Sequence, residues 1–416
     1  MSGTQFKKFR LKPFVIEALE SQRILKPTEI QERLIPSIQA GKSAIGQSQT
    51  GTGKTLAYLV PIINQLDAEK NECQAVITAP TRELADQIFQ EALKLLPKEG
   101  HSYRIKKVVG GTDRKRLIQK LKTDPHMLVG TPGRITDLVK QGELDIFPAT
   151  TLVVDEADLM LDMGFIEEVD QIAARMSEHL QMLVFSATIP EKLRPFLKKY
   201  MDNPKFVQVK PKQAAAATID HLLVPDHHRE TERLVVEIAK AIHPYLALVF
   251  ANTKENVDAI YSAMLDEGLE VEKLHGGLTP RERKQTMKRI DRLECQYIVA
   301  TDLASRGIDI KGVSHVIQAE LPDDLDFYIH RSGRTGRAGA SGTSIAIYRK
   351  EDEQAVEKLK KKGISFRLVE LKDGQWQDIK RRKKKDKALN MKPAQALPKP
   401  KKIKPGYKKK LKKSYR

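Results

Sequence analysis

Two short stretches bring together residue types that can do chemistry. The first is Ser48-Gln-Thr-Gly-Thr-Gly-Lys-Thr55, which follows an apolar segment at Ala44 and Ile45 and precedes a helical pattern from Leu56. Gln49, Thr50, Gly51, Thr52 and Gly53 make a loop whose backbone N–H groups can face phosphate oxygens, and the two glycines permit the turn. The N-terminus of the helix that follows adds partial positive charge at the same place. Lys54 can reach the outer phosphates, and the Thr55 hydroxyl can ligate Mg²⁺. Ser48 stands where the general pattern opens with glycine. The second stretch, Thr151-Leu-Val-Val-Asp-Glu-Ala-Asp158, is an apolar run that ends in carboxylates. Asp155 can hold Mg²⁺, and Glu156 can orient or deprotonate an attacking water. Together they suit hydrolysis of a nucleoside triphosphate.

Such residues need a scaffold that places both stretches at one crevice. Short apolar runs recur along the chain, each followed by a helical pattern. They are Ala75–Ala79, Met127–Val129, Leu152–Val154, Met182–Phe185, Leu246–Phe250, Tyr297–Ala300, Val313–Ile317 and Ser344–Tyr348. Continuous apolar runs without alternation predict parallel strands buried on both faces. Strands alternating with helices predict a doubly wound α/β fold, with ligands at the carboxyl ends of the strands. The pattern breaks at Lys210–Thr218 and again after about Leu371. The expected organisation is a first domain to residue 209, a linker at 210–217, a second domain over 218–371 and a tail over 372–416.

The 416 residues exceed one ordinary core, and no apolar run approaches the ~20 residues that span a bilayer. The start carries charge throughout its apolar stretches, which gives no signal peptide and makes a cytoplasmic, reducing location the expectation. Cys73 and Cys295 fall in different expected domains and read as reduced, structural thiols. The net charge of +19 is concentrated: residues 380–416 hold about 18 basic residues and one acid, so the rest of the chain is near neutral. A tail of that composition is expected to be disordered when unbound and to seek a polyanion. Its Lys clusters, with Trp376, Tyr407 and Tyr415 as stacking groups, suit tethering of a single-stranded nucleic acid.

Further blocks carry a family resemblance. With the phosphate loop and Asp155-Glu-Ala-Asp158 come Lys26-Pro-Thr-Glu-Ile-Gln31, Pro80-Thr-Arg-Glu-Leu-Ala85, Gly110-Gly111, Thr131-Pro-Gly-Arg134 and Ser186-Ala-Thr188. Then follow Leu248-Val-Phe-Ala-Asn-Thr253, Ala300-Thr-Asp-Leu-Ala-Ser-Arg-Gly-Ile-Asp309 and His330-Arg-Ser-Gly-Arg-Thr-Gly-Arg337. In this order they resemble the DEAD-box RNA helicases, and among them the bacterial cold-shock type. The resemblance implies two tandem RecA-like domains that use ATP and Mg²⁺ to unwind RNA duplexes or remodel RNA–protein particles.

It also implies roles. Gln31 would read adenine with its amide edge, and Phe6 would support that segment. Where the family often has Gly-Phe, this chain has Arg23-Ile24. Arg334 and Arg337 match the arginine fingers, and Asp309 would meet the ribose. Ser186, Thr188 and His330 would link the nucleotide and RNA sites. Pro80, Thr81, Arg82, Gly111, Thr131, Gly133 and Arg134, with Thr253 and Thr301 of the second domain, would follow the RNA sugar–phosphate backbone. Hydroxyls, glycine amides and arginines read backbone rather than base identity. The family's QxxR block is altered to Pro280-Arg-Glu-Arg283. A monomer is expected, with ribosome assembly or mRNA turnover as the setting. The competing reading is an RNA annealing or scaffolding protein that works mainly through its basic tail.

Overall fold

The computed structural model describes residues 4–379, apart from 49–50, 98, 101, 112–113, 122, 210–218, 303–309, 311, 337–340 and 373. The expected linker, the tail from 380 onward, and Gln49, Thr50, Asp309 and Arg337 lie outside the described residues.

Strands β1 (Ala44–Gln47), β2 (Ala75–Thr78), β3 (Ile105–Val108), β4 (Met127–Gly130), β5 (Thr151–Asp155), β6 (Gln181–Ser186) and β7 (Lys205–Gln208) form one sheet. Its order is β3-β4-β2-β5-β6-β1-β7, with every neighbouring pair parallel. Successive residues of the central strands feed opposite cores. Ile77, Val153 and Leu183 enter one, and Val76, Leu152 and Met182 enter the other. Burial on both faces is why these runs show no polar alternation.

The second sheet contains β8 (Ile219–Pro225), β9 (Ala247–Phe250), β10 (Val271–Leu274), β11 (Tyr297–Ala300), β12 (His315–Gln318), β13 (Gly342–Tyr348), β14 (Phe366–Lys372) and β15 (Gln375–Asp378). Its order is β10-β11-β9-β12-β13-β8-β14-β15, and only the final hairpin is antiparallel. This hairpin carries the second sheet past the expected boundary at 371. Trp376 packs against the second domain's core there, so it is not a stacking group of the tail. Both cysteines are buried and free, and burial pushes both thiols up, Cys295 to about 11.

The two halves reuse one device. Thr81 and Thr253 each accept a hydrogen bond from the backbone N–H three residues on, capping the helices Arg82–Lys94 and Lys254–Asp266. On those helices Asp86 pairs with Lys107 of β3, and Asp258 pairs with Lys273 of β10. Each lysine also lies over an aromatic ring one turn on, Phe89 or Tyr261.

The altered Arg23-Ile24 has a backbone consequence. Helix Pro13–Ser21 ends with Ile24 N–H donating to Leu19 O and Arg23 N–H donating to Glu20 O, a Schellman closure. Arg23 occupies its left-handed position at φ 59°, where glycine carries no steric cost. Arg23→Gly is therefore expected to stabilise the first domain by about 1 kcal/mol. Thermal unfolding checks it, and an unchanged or lower midpoint would count against it.

His221 of β8 clusters with the rings of Tyr328 and Phe366, with Nδ1 3.0 Å from the Tyr328 hydroxyl. Burial lowers its pKa to about 4, against an upward pull from Asp220. The unfolded chain takes up this proton near the ordinary ~6.5, so between those values it binds more protons than the fold. The stability contribution is whole above about pH 6.5 and is lost as pH falls towards 4, by roughly 3 kcal/mol. His221→Gln should flatten this slope in urea titrations; a variant as steep as the parent would rule His221 out as its source.

Candidate functional site

Strands β5, β6 and β1 are neighbours, so their carboxyl ends bring three motifs to one rim. β1 leads into the phosphate loop, β5 ends at Asp155 and β6 ends at Ser186. Gln47 stands in register with Ser186, and Asp155 with Phe185.

At this rim Lys54 Nζ donates to Glu156 Oε1 at 2.9 Å, with Lys54 only 6% exposed. Burial alone would push the ammonium's pKa down, but Glu156, Asp155 and Asp158 outweigh it and hold it raised. Asp155 is buried, and that burial, with Glu156 beside it, lifts its carboxyl to about 6. Two donors orient this carboxylate: the Tyr58 hydroxyl to Oδ2 at 2.8 Å and the Glu156 N–H to Oδ1 at 3.0 Å. Tyr58 was not singled out from the sequence. It lies four residues after Lys54 on helix Lys54–Gln65, a spacing that puts both on one face.

The loop is shaped by a close approach. Gly53 has φ 92°, and a Cβ there would lie 2.5 Å from Gln31 Nε2. Ser48, in the usual glycine's place, is buried and hydrogen-bonds Thr52 at 2.7 Å. Gln31 is also buried, accepting from Thr28 N–H at 2.9 Å and donating to Gly53 O at 3.1 Å. Its amide thus ties its own helix start to the phosphate loop, with one lone pair and one N–H left for a base. Phe6 has no face open to a base. It is fully buried against Phe9, and the chain around it hydrogen-bonds Leu25 O through Thr4 and Gln5, so Phe6 supports the segment from within the core.

Asp158 links two motifs. Its N–H donates to Ser186 Oγ at 3.0 Å, while its Oδ2 accepts from Thr188 N–H and Oγ1 at 2.9 and 3.0 Å. Farther along the first domain, the Arg82 guanidinium covers Gly110 and Gly111 so closely that a Cβ on Gly111 (φ 76°) would collide with it. Thr131 precedes helix Pro132–Lys140, and its N–H bonds Val108 O at 3.1 Å. A Cβ on Gly133 would meet open space. Pro80 is buried, and Arg134 is partly exposed on that helix.

In the second domain Thr253 is exposed at its cap, and Thr301 N–H bonds Leu274 O at 3.2 Å. His330 lies on helix Asp326–Ser332, and Arg334 follows it. Between them Arg331, missed in the sequence, is the largest fully buried side chain among the described residues. Its guanidinium forks onto Asp302 at 2.7 and 2.6 Å, donates to Glu320 O at 2.7 Å and Asn252 Oδ1 at 2.8 Å, and lies over the Phe250 ring. Arg283 of the altered block ion-pairs with Glu83 of the first domain, which neighbours Arg82. His275 has a structural task, accepting from Gly277 N–H at 3.1 Å with Asp258 at 3.3 Å from Nε2.

The DEAD/DEAH box helicase family matches residues 28–196, and the helicase conserved C-terminal domain matches residues 230–339. The chain belongs to the DEAD-box ATP-dependent RNA helicases. It is 56% identical to the DEAD-box ATP-dependent RNA helicase CshB of Bacillus subtilis, over 99% of this chain and 95% of that one. With CshB of Bacillus cereus the identity is 51%, over 99% and 96%. Among solved structures, Dbp5 of S. cerevisiae bound to RNA and ADP BeF3 superposes with a TM-score of 0.79 at 26% identity, covering 89% of this chain and 96% of that one. The protein is thus an RNA helicase that depends on ATP, with RNA as its partner. Among the described residues, no helix is long and apolar enough to cross a membrane.

Proposed function

We propose that the two domains grip the RNA sugar–phosphate backbone with little regard to sequence and tie that grip to ATP hydrolysis. The observation that carries this is the turn Asp155–Asp158. One side holds Lys54 through Glu156, and the other holds Ser186 and Thr188 through Asp158. A change at the phosphate loop therefore reaches the segment between the sites through two hydrogen-bonded steps. The Arg283–Glu83 pair supports domain cooperation, because it sets the second domain against the residue beside Arg82.

Mg²⁺ fits Asp155 and Thr55. Among the described residues no group of three or more His, Cys, Asp or Glu side chains could hold a metal ion. The Asp155 carboxylate, oriented by the Tyr58 hydroxyl and the Glu156 N–H, is the kind of single oxygen ligand Mg²⁺ takes beside phosphate oxygens and water. Bound with ATP, it supplies charge neutralisation at the phosphates. Lys54 binds the phosphates, Glu156 orients the water or accepts its proton, and Tyr58 keeps Asp155 aimed. Arg334 and Arg337 add guanidinium forks from the second domain, Asp309 meets the ribose, and His330 joins Ser186 and Thr188 in coupling. The RNA track is Pro80, Thr81, Arg82, Gly111, Thr131, Gly133 and Arg134, continued by Thr253 and Thr301. We place the protein in the cytoplasm as a monomer, acting in ribosome assembly or mRNA turnover at low temperature.

Steady-state ATPase activity without nucleic acid, with single-stranded RNA and with matched DNA tests the reading. Stimulation by RNA alone is the expected result. Equal stimulation by DNA would remove the 2′-hydroxyl from recognition, and no stimulation would favour the tail-driven scaffold.

A further inference from the structure

Helix Pro280–Asp291 carries five cations against two acids, and it presents them on different faces. Arg283 turns to Glu83. Met287 and Ile290 pack towards the second domain's core. On the outer side Arg281, Lys284, Gln285, Lys288, Arg289 and Arg292 line one shallow groove, with Glu294 beside Arg289 and Arg292. All six are exposed. Their spacing of three and four residues makes a single stripe, about 16 Å from end to end at 1.5 Å per residue.

This stripe is built against local preference. Several helical cations sit one turn from an acid, as in Arg33–Glu29, Lys94–Glu91 and Lys360–Glu357, although helix Arg114–Leu121 also carries cations without an acid. Here Arg281–Lys284, Lys284–Lys288 and Lys288–Arg292 are like-charged neighbours at those same separations. Arg289 and Arg292 share Glu272 and Glu294. Among the described residues Arg281, Lys284 and Lys288 have no ion pair. Three such cations in a row fit a polyanion. The chain's own tail is no candidate, since its about 18 cations and one acid would be repelled.

We infer that this face binds phosphates of the RNA that flanks the stretch held by the core, an inference that rests on the proposed backbone track. The placement supports it. The helix starts six residues after Leu274, whose carbonyl is bonded by Thr301, and its Arg283 reaches the neighbour of Arg82. The helix that bears the stripe therefore stands next to the proposed track.

The test compares the full chain with the triple variant Arg281→Gln/Lys284→Gln/Lys288→Gln on two RNAs. One is a short single strand that fills only the core, and the other is the same strand extended by a duplex. The variant should bind the short strand as the parent does and the extended RNA roughly tenfold more weakly. Its slope of log K against log salt on the extended RNA should be shallower by about two. Unchanged affinity and slope on the extended RNA would overturn the inference. Equal loss on both RNAs would also overturn it, by assigning the stripe to the core grip. Displacement of the extended RNA by poly-glutamate from the parent but not from the variant, without any loss of RNA affinity in the variant, would assign the face to an acidic protein instead. Arg82→Gln separates the underlying reading: if it leaves short-strand binding intact, the track itself fails, whatever the stripe does.

Discussion

Glu156→Gln should lower RNA-stimulated ATP hydrolysis by about 10²–10⁴-fold, the range typical of a lost general base. The substitution keeps shape and leaves an oxygen to accept from Lys54, whose ammonium now lies 2.9 Å from Glu156. It removes the negative charge that would polarise a water. Lys54 keeps Asp155 as a nearby counter-charge, so the fold and ATP affinity should change little. Glu156 also sits in the left-handed region at φ 51° and ψ 55°, a conformation that costs a non-glycine residue free energy and recurs at functional sites. Glutamine keeps that backbone requirement, which makes it a cleaner probe than a residue of different shape. Two readouts decide the matter: turnover with saturating RNA, and nucleotide affinity. A variant that hydrolyses ATP nearly as fast as the parent would remove Glu156 from the chemistry. Large loss of both turnover and affinity would point instead to a binding role through Lys54.

What the sequence revealed follows from what each strand buries. Val76-Ile77, Leu152-Val153-Val154 and Met182–Phe185 are apolar at every position because both faces are covered. They were legible for that reason. The edge strands β3, Ile-Lys-Lys-Val, and β10, Val-Glu-Lys-Leu, were not, since Lys107 and Lys273 pair with the helix alongside rather than entering a core. β7 has one buried residue, Val207, and gives no periodic signal. In the site, residue types named the phosphate loop and the acids, but not their partners. Tyr58 reads as an ordinary helical core residue until its hydroxyl is seen on Asp155. Arg331 stands between residues that resemble ligand-binding ones. Nothing local separates it from Arg334, because its acceptors come from Asn252, Asp302 and Glu320, far apart in sequence.

That burial sets the other large effect. Arg331→Met should destabilise the second domain by about 3–5 kcal/mol, the usual cost of removing one member of a buried ion pair. The side chain is 1% exposed, and Asp302, with 23% of its side chain exposed, would lose both limbs of its fork. The Glu320 carbonyl and the Asn252 side-chain oxygen would lose donors as well. Lysine cannot restore the cage, because one ammonium does not reproduce a planar fork to three acceptors. The chain provides its own probe: Trp376 is its single tryptophan and packs on the core of this domain. Tryptophan fluorescence in urea therefore follows the second domain, and its midpoint should fall sharply in Arg331→Met and in Arg331→Lys. RNA affinity should fall with it under native conditions, since Asn252 precedes Thr253 and Asp302 follows Thr301 on the proposed track. A midpoint that stays put would mean the cage is not what holds the domain together, while loss of RNA affinity alone would make Arg331 a positioning residue for those two threonines.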